Sequence, residues 1–127
     1  MKHLILIILF MLILPTVSIA EDGQLITRAE FCTELADREP ADSPESITAG
    51  QQTVYFFTEV LNSKDKSISH RWYYNDIKIA DVTLKIGADH WRTWSTKQVW
   101  HLTAGRLKVQ VLDAAGELLT EKEIAIQ

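Results

Sequence analysis

The sequence predicts an all-β fold, an immunoglobulin-like antiparallel β-sandwich of about seven strands. From Gln51 onward, short segments rich in β-branched and aromatic residues are separated by turn residues at close intervals. Within most of these segments apolar and polar side chains alternate, which is the pattern of a strand with one buried face. Regular turn signals in a region of this length favour two packed antiparallel sheets.

The strands follow one another along the chain. Thr53–Leu61 is apolar on both faces, which predicts a central strand. Ser67–Tyr74 alternates, with Ile68, His70, Trp72 and Tyr74 on one face and Ser69, Arg71 and Tyr73 on the other. The remaining predicted strands are Ile77–Ile86, Trp91–Thr96, Arg106–Leu112 and Leu118–Ile126.

One strand changes its alternation part-way. Ile77 and Ile79 occupy odd positions, whereas Val82 and Leu84 occupy even ones. An extra residue near Ile79-Ala80, a β-bulge, would return them to one face. Asn75-Asp76, just before this strand, predicts a two-residue hairpin turn.

Residues 21–44 are predicted to form an N-terminal element and a linker, followed by the sandwich body at residues 45–127, all within one domain. Thr27–Glu30 fits a helix capping box, so this element could be helical. As a strand it would place Ala29 and Phe31 on one face and Cys32 on the other. We favour the strand. The polar, proline-punctuated Arg38–Pro44 is read as a loop or linker.

Residues 1–20 have the three parts of a secretory signal peptide. A basic start precedes the apolar run Leu4–Leu14, Pro15 interrupts any helix, and Ser18 and Ala20 are small. The apolar run is shorter than the roughly 20 residues of a spanning helix. We therefore expect cleavage near Ala20, a periplasmic or secreted protein, and no stable membrane insertion after cleavage.

Charge and cysteine content restrict the partners. The formal net charge is −4 and no basic stripe is present, which argues against nucleic acid and anionic membrane surfaces. Cys32 is the single cysteine, so no disulfide can form within one chain. It is a buried apolar residue, a free thiol or a bridge between two copies. Self-association through Cys32 therefore remains open.

Two segments concentrate aromatic and basic residues, His70–Tyr74 and Trp91–Lys97. An arginine stacked on an indole serves either as a structural clamp or as a recognition surface. In the structural interpretation Trp72 and Trp94 fill the core between the sheets, and Glu59 pairs with Arg71 on a neighbouring strand. In the functional interpretation an exposed face binds a ligand through five candidate residues, namely Arg71, Tyr73, Trp91, Arg92 and Trp94.

Several motifs occur in an order that resembles the bacterial domain of unknown function 2914 family. They are Arg38-Glu39-Pro40, Tyr55–Val60, His70–Tyr74, Trp91–Lys97 and the closing Gly105, Val109–Asp113 and Gly116. The resemblance extends over nearly all of the chain after residue 20. It implies a small all-β domain of envelope or secreted proteins, and it implies no established activity.

Catalytic and metal-binding patterns are weak. His70, His90, His101 and Cys32 lack metal-ligand spacing, and Ser95, His70 and Asp81 lack the context of a nucleophile. We therefore expect no catalytic residues, no metal and no cofactor. The expected function is an exported, non-catalytic binding or accessory module that recognises an envelope protein or glycan. The alternative is a small periplasmic hydrolase or metal-dependent enzyme that uses the histidines.

Overall fold

The computed structural model describes residues 23–127, so the predicted signal peptide lies outside the described residues. Within that range the chain forms ten strands. Seven of them have eight or nine residues: β1 (Leu25–Cys32), β5 (Thr53–Leu61), β6 (Ser67–Tyr74), β7 (Ile77–Lys85), β8 (His90–Gln98), β9 (Gly105–Asp113) and β10 (Leu118–Ile126). The two-residue strands are β2 (Leu35–Ala36), β3 (Glu39–Pro40) and β4 (Ser46–Ile47). A search of residues 23–127 finds no helix able to cross a bilayer.

The strands form a sandwich of two main sheets, which confirms the predicted all-β class. One sheet has three strands in the order β1-β5-β8, and the other has five in the order β4-β10-β9-β6-β7. All pairings between long strands are antiparallel. A third, two-stranded sheet is the hairpin of β2 and β3. Strand β5 is central in its sheet, as its apolar faces predict.

The core lies between the two main sheets and is centred on aromatic rings. Trp72 and Phe56 are fully buried, and their ring centroids are 6.4 Å apart in an edge-to-face arrangement. Phe31 meets Phe56 in the same manner at 4.9 Å. Edge-to-face contacts add to the stability gained from burying the rings. Ile68, Val109 and other aliphatic side chains fill the remaining space.

The predicted β-bulge is confirmed. The pairing of β6 with β7 shifts between Trp72 and Tyr73, so that Ile79 is the extra residue. The bulge lets Ile79 pack on the core beside Ala80 and Leu84, but Ile77 remains 69% exposed. The register still places Ile77 on the face of Ala80, since they pair with Tyr74 and Trp72, so the expected single face is confirmed; Ile77 is exposed because it lies next to the turn, beyond the core.

The N-terminal element is a strand, as favoured, and not a helix. Phe31 and Cys32 are both buried on opposite faces of β1. Phe31 faces the core, and Cys32 faces the outer side beneath the chain that follows it. Burial, with a further contribution from Asp42, raises the pKa of the Cys32 thiol to about 11. A bridge to a second copy through Cys32 would require this thiol to become exposed.

The segment predicted as a linker is folded. Strands β2 and β3 form a hairpin, Leu35–Pro40, which we call the outer hairpin because it lies on the outer face of the three-stranded sheet. Its turn residues Asp37 and Arg38 have φ angles of 51° and 63°. Two successive residues with left-handed φ angles fit the turn of a two-residue hairpin, and these two positions are usually held by Asn-Gly. Because no glycine stands at this turn, the residues there did not indicate a hairpin.

The chain changes sheet between β5 and β6. The turn at residues 62–66 carries it from the three-stranded sheet to the five-stranded sheet. Consequently β6 and β8, which hold the two aromatic clusters, lie in opposite sheets. The expectation of one exposed face that carries residues of both clusters is wrong, since strands close in sequence need not share a sheet.

Candidate functional site

A cluster of polar side chains lies inside the core and links the two sheets. His70 on β6 contacts Thr58 on β5, with Nε2 3.1 Å from Oγ1, and Ser95 on β8, with Nδ1 2.7 Å from Oγ. Trp72 Nε1 donates to Ser95 Oγ at 2.9 Å, and Thr58 Oγ1 donates to the Thr93 carbonyl at 3.1 Å. We call Thr58, His70, Trp72 and Ser95 the core polar cluster.

The hydrogen bonds of the core polar cluster assign one tautomer to His70. The single Thr58 proton goes to the Thr93 carbonyl, so Thr58 must accept from His70 Nε2. His70 Nδ1 then accepts from the Ser95 hydroxyl, whose oxygen accepts from Trp72. When the imidazole is neutral, every donor and acceptor atom of the core polar cluster has a partner. Burial lowers the pKa of His70 to about 3, which agrees with this neutral form.

Ser95 and His70 thus have the separation of a nucleophile and its base, but their surroundings are those of a structural clamp. His70 is completely buried and Ser95 is 5% exposed. Asp81, the third member suggested by the sequence, lies on the outer face of the other sheet, where it accepts from Arg71 Nε at 3.0 Å. A histidine with so low a pKa is a weak base at neutral pH. The geometry favours a bridge between sheets.

Arg71 and Tyr73 lie on the outer face of the five-stranded sheet. Arg71 pairs with Asp81 on the neighbouring strand, and Tyr73 donates to Gln110 at 3.1 Å. Lys108 lies over the Tyr73 ring, 4.8 Å from its centroid. These contacts are cross-strand pairs of a solvated sheet face. They separate Arg71 and Tyr73 from the other three predicted ligand-binding residues.

Trp91, Arg92 and Trp94 come together on β8, at the edge of the three-stranded sheet. Both indoles are half-buried, but Trp91 points to the core side of the sheet and Trp94 points to the outer face with Arg92. The interpretation that Trp94 fills the core is therefore wrong. The Arg38 guanidinium, from the tip of the outer hairpin, lies 5.5 Å from the Trp91 ring centroid and 5.7 Å from that of Trp94. It also donates to the Arg92 carbonyl at 3.2 Å. We call Trp91, Arg92 and Trp94 the β8 surface.

Glu39 of the outer hairpin bridges two arginines. Its two oxygens accept separately, one from Arg28 Nη1 on β1 and the other from Arg92 Nη1 on β8, each at 2.7 Å. We call Arg28 and Arg92 the arginine pair. Hydrogen bonds from Arg28 and then Arg92 lower the pKa of Glu39. Phe57, on β5 between these strands, is fully buried beneath the Arg28 guanidinium, 4.8 Å from its ring centroid.

The sequence suggested that Glu59 pairs with Arg71, and this is wrong. Arg71 lies on β6, which is not in the same sheet as Glu59. Glu59 lies 3.6 Å from Arg28 Nη1 and 3.5 Å from His90 Nε2, and it accepts from Thr27 Oγ1 at 3.1 Å. Its neighbours come from β1 and β8, the strands that flank β5. Glu59 therefore belongs to the same outer face as Glu39, Arg92 and Trp94.

A depression opens beside this network. It has a volume of about 210 Å³ and is lined by Glu39, Glu59, His90 and Arg92. The histidines are dispersed, since His70 is in the core and His101 follows the exposed Trp100 in the β8–β9 loop. Residues 23–127 contain no group of three His, Cys, Asp or Glu side chains placed to hold a metal ion.

Sequence reasoning missed Arg28, Arg38 and Glu39 as members of this surface. They reach it only because β1 flanks β5 and because the outer hairpin folds back across the sheet. The Arg38-Glu39-Pro40 motif marked the segment without showing what it contacts. Trp100, 63% exposed, was not singled out either.

Comparison with known proteins agrees with the resemblance seen in the motifs. A family model described as "Protein of unknown function (DUF2914)" matches residues 65–126. The family of this model is the one that the sequence motifs resemble. This DUF2914 segment covers β6 to β10 and is shorter than the resemblance suggested, since β1, β5 and the outer hairpin precede it.

The remaining comparisons are distant. No curated protein matches the chain. Among solved structures, a superoxide reductase (neelaredoxin) from Ignicoccus hospitalis is similar at 17% identity, over 68% of this chain and 77% of that one, with a TM-score of 0.39.

Proposed function

We propose that this protein is an exported, non-catalytic binding or accessory module of the bacterial cell envelope. Its ligand, a protein or a glycan, is engaged by the β8 surface. The observation that carries the proposal is that two half-buried indoles and two guanidiniums, those of Arg38 and Arg92, meet at one edge of the three-stranded sheet. Flat aromatic faces supply contact area at low entropic cost, and arginines fix orientation.

Two further features support binding rather than catalysis. The Ser95–His70 pair is enclosed in the core, where a substrate could not approach it. By contrast, the β8 surface adjoins an open depression. The proposal therefore narrows the five candidate residues to Trp91, Arg92 and Trp94, with Arg71 and Tyr73 assigned to the opposite face of the sandwich.

The test is a fluorescence titration of the purified protein in a Trp100→Phe background. Trp100 lies in the loop beyond the end of β8, and its ring, 63% exposed, would otherwise contribute to the response. Trp72 is fully buried, so ligand-dependent changes would report on Trp91 and Trp94. Ligands are cell-wall fragments, acidic and neutral oligosaccharides, and envelope protein fractions.

A ligand of the β8 surface is expected to shift the emission, and Trp94→Ala is expected to abolish binding in a folded protein. Arg71→Gln is the matched control, because it removes an arginine from the other sheet. The assignment would be refuted by a ligand that binds Trp94→Ala normally and is lost with Arg71→Gln.

A further inference from the structure

We propose that the arginine pair is a carboxylate-binding subsite for an acidic sugar, and that Glu39 occupies it when no ligand is bound. This inference rests on the proposed function, because it names the ligand class of the same surface. Each guanidinium contributes one Nη1 atom, 2.7 Å from a different oxygen of one carboxylate. Arginine recognises carboxylates through such short, charge-assisted hydrogen bonds.

Glu39 is an internal anion that a ligand can replace. Its side chain is 38% exposed, and those of Arg28 and Arg92 are 35% and 36% exposed. Ion pairs this accessible to water contribute little to stability. Displacing the Glu39 carboxylate by another carboxylate leaves the number of charge pairs at the arginines unchanged.

The outer hairpin is built so that its tip can lift. Its base is held by the Thr33 amide donating to Asp42 at 2.8 Å and by the Ala41 amide donating to the Glu34 carbonyl at 2.9 Å. Its strands have only two residues each. The tip is held against the sheet by the side chains of Arg38 and Glu39, through hydrogen bonds with the Arg92 carbonyl and with the arginine pair.

Lifting the tip would create the remaining parts of a sugar site. Trp94 points to the outer face, as Arg92 does, so departure of the Arg38 guanidinium frees the Trp94 indole for the apolar side of a sugar ring. Glu59 and His90 line the depression beside Arg92 and provide hydrogen-bond partners for hydroxyl groups. A carboxylate, hydroxyls and an apolar ring face together describe a uronic-acid residue.

The probes are a galacturonic acid tetramer and its fully methyl-esterified form, which differ in charge and little else. Binding is measured by calorimetry on the full-length protein and on five single variants, one of which is Trp94→Ala. Glu39→Gln frees the arginine pair, and Arg92→Gln removes half of it. Glu121→Gln and Arg71→Gln are the charge-matched controls, since both residues lie on the outer face of the other sheet.

Glu39→Gln is expected to bind the acidic tetramer at least about tenfold more tightly than the unsubstituted protein, because the internal competitor is gone. Arg92→Gln is expected to bind the acidic tetramer at least about tenfold more weakly than the unsubstituted protein does. The methyl ester is expected to bind any of the proteins at least about tenfold more weakly than the unsubstituted protein binds the acid. Both control variants should behave like the unsubstituted protein. Circular dichroism and urea midpoints establish that each variant is folded.

The inference is overturned if Glu39→Gln binds no acidic tetramer, or if it binds no better than Glu121→Gln. Equal binding of the acid and its ester, lost with Trp94→Ala, would overturn the subsite and leave the proposed function intact. A protein ligand that needs Trp94 while all sugars fail would do the same. Binding of the acid that needs Arg92 but is unaffected by Trp94→Ala would instead uphold the subsite and remove the aromatic surface from the proposed function.

Discussion

Acidification from pH 7.5 to 5.0 is expected to destabilise this protein through one buried side chain, His70. The unfolded chain binds a proton at His70 below the ordinary histidine pKa of 6.5, whereas in the folded state burial lowers this pKa to about 3. Between these two values the unfolded state holds more protons. The contribution of neutral His70 to the free energy of unfolding is therefore fully present above pH 6.5. It is lost progressively as the pH falls toward 3.

The magnitude follows from proton linkage. With pKa values of 6.5 unfolded and about 3 folded, the free energy of unfolding falls by about 2 kcal/mol between pH 7.5 and 5.0. The slope approaches about 1.4 kcal/mol per pH unit below pH 6. A folded-state value one unit higher would leave the result nearly unchanged, because His70 would still be neutral at pH 5.0. Glu39, with its lowered pKa, remains ionised throughout this interval.

The measurement is urea unfolding at both pH values, monitored by tryptophan fluorescence, on three proteins. The unsubstituted protein should lose about 2 kcal/mol, whereas His70→Gln should lose little between the two pH values, although it starts less stable. His90→Gln is the matched control, since the His90 side chain is 65% exposed, and it should keep the pH dependence. If the free energy of unfolding of His70→Gln falls between the two pH values as steeply as that of the unsubstituted protein, the assignment of the pH dependence to His70 is refuted.

Three further outcomes follow from local geometry. Ser95→Ala should cost about 2 to 4 kcal/mol of unfolding free energy by leaving two buried ring nitrogens without a partner, whereas Thr96→Ala, exposed on the same strand, should cost far less in the same urea assay. Gly105→Ala should lower the free energy of unfolding by about 1 to 3 kcal/mol, since its new Cβ would lie 2.5 Å from a side-chain oxygen. Gly23→Ala has free space around its new Cβ and should leave the free energy of unfolding unchanged. Equal urea midpoints for the two variants would contradict this. Cys32 should resist a thiol reagent at pH 8 until urea unfolds the protein, because its thiol is buried with a pKa of about 11; rapid labelling of folded protein would contradict this.

The strands could be predicted because their signals are local. Alternation and turn residues identified Thr53–Leu61, Ser67–Tyr74 and Leu118–Ile126 with their observed bounds, and a change of parity identified the bulge at Ile79. A side chain's face is decided by its own strand and its immediate neighbours in sequence. For the same reason Trp72 could be assigned to the core.

The partition of strands between sheets could not be predicted, because it depends on contacts distant in sequence. Nothing within β5 indicates that its neighbours are β1 and β8 instead of β6. The pairing of Glu59 with Arg71 was wrong for this reason. The outer hairpin was missed because Asp37 and Arg38 adopt left-handed angles that sequence rules assign to glycine and asparagine.

The outer hairpin also explains how the edge of the three-stranded sheet is protected. Strand β8 pairs only with β5 within this sheet, so its other side presents unpaired backbone groups that could pair with another chain. Arg38 donates to one of these groups, the Arg92 carbonyl, and its guanidinium covers the indoles on either side. A ligand that displaces the hairpin tip must therefore cover this edge as well as replace the Glu39 carboxylate. An isolated carboxylate would satisfy the arginine pair and leave the strand edge open, whereas a ring-bearing acidic chain could occupy both. This requirement favours an oligosaccharide over a free anion at the β8 surface.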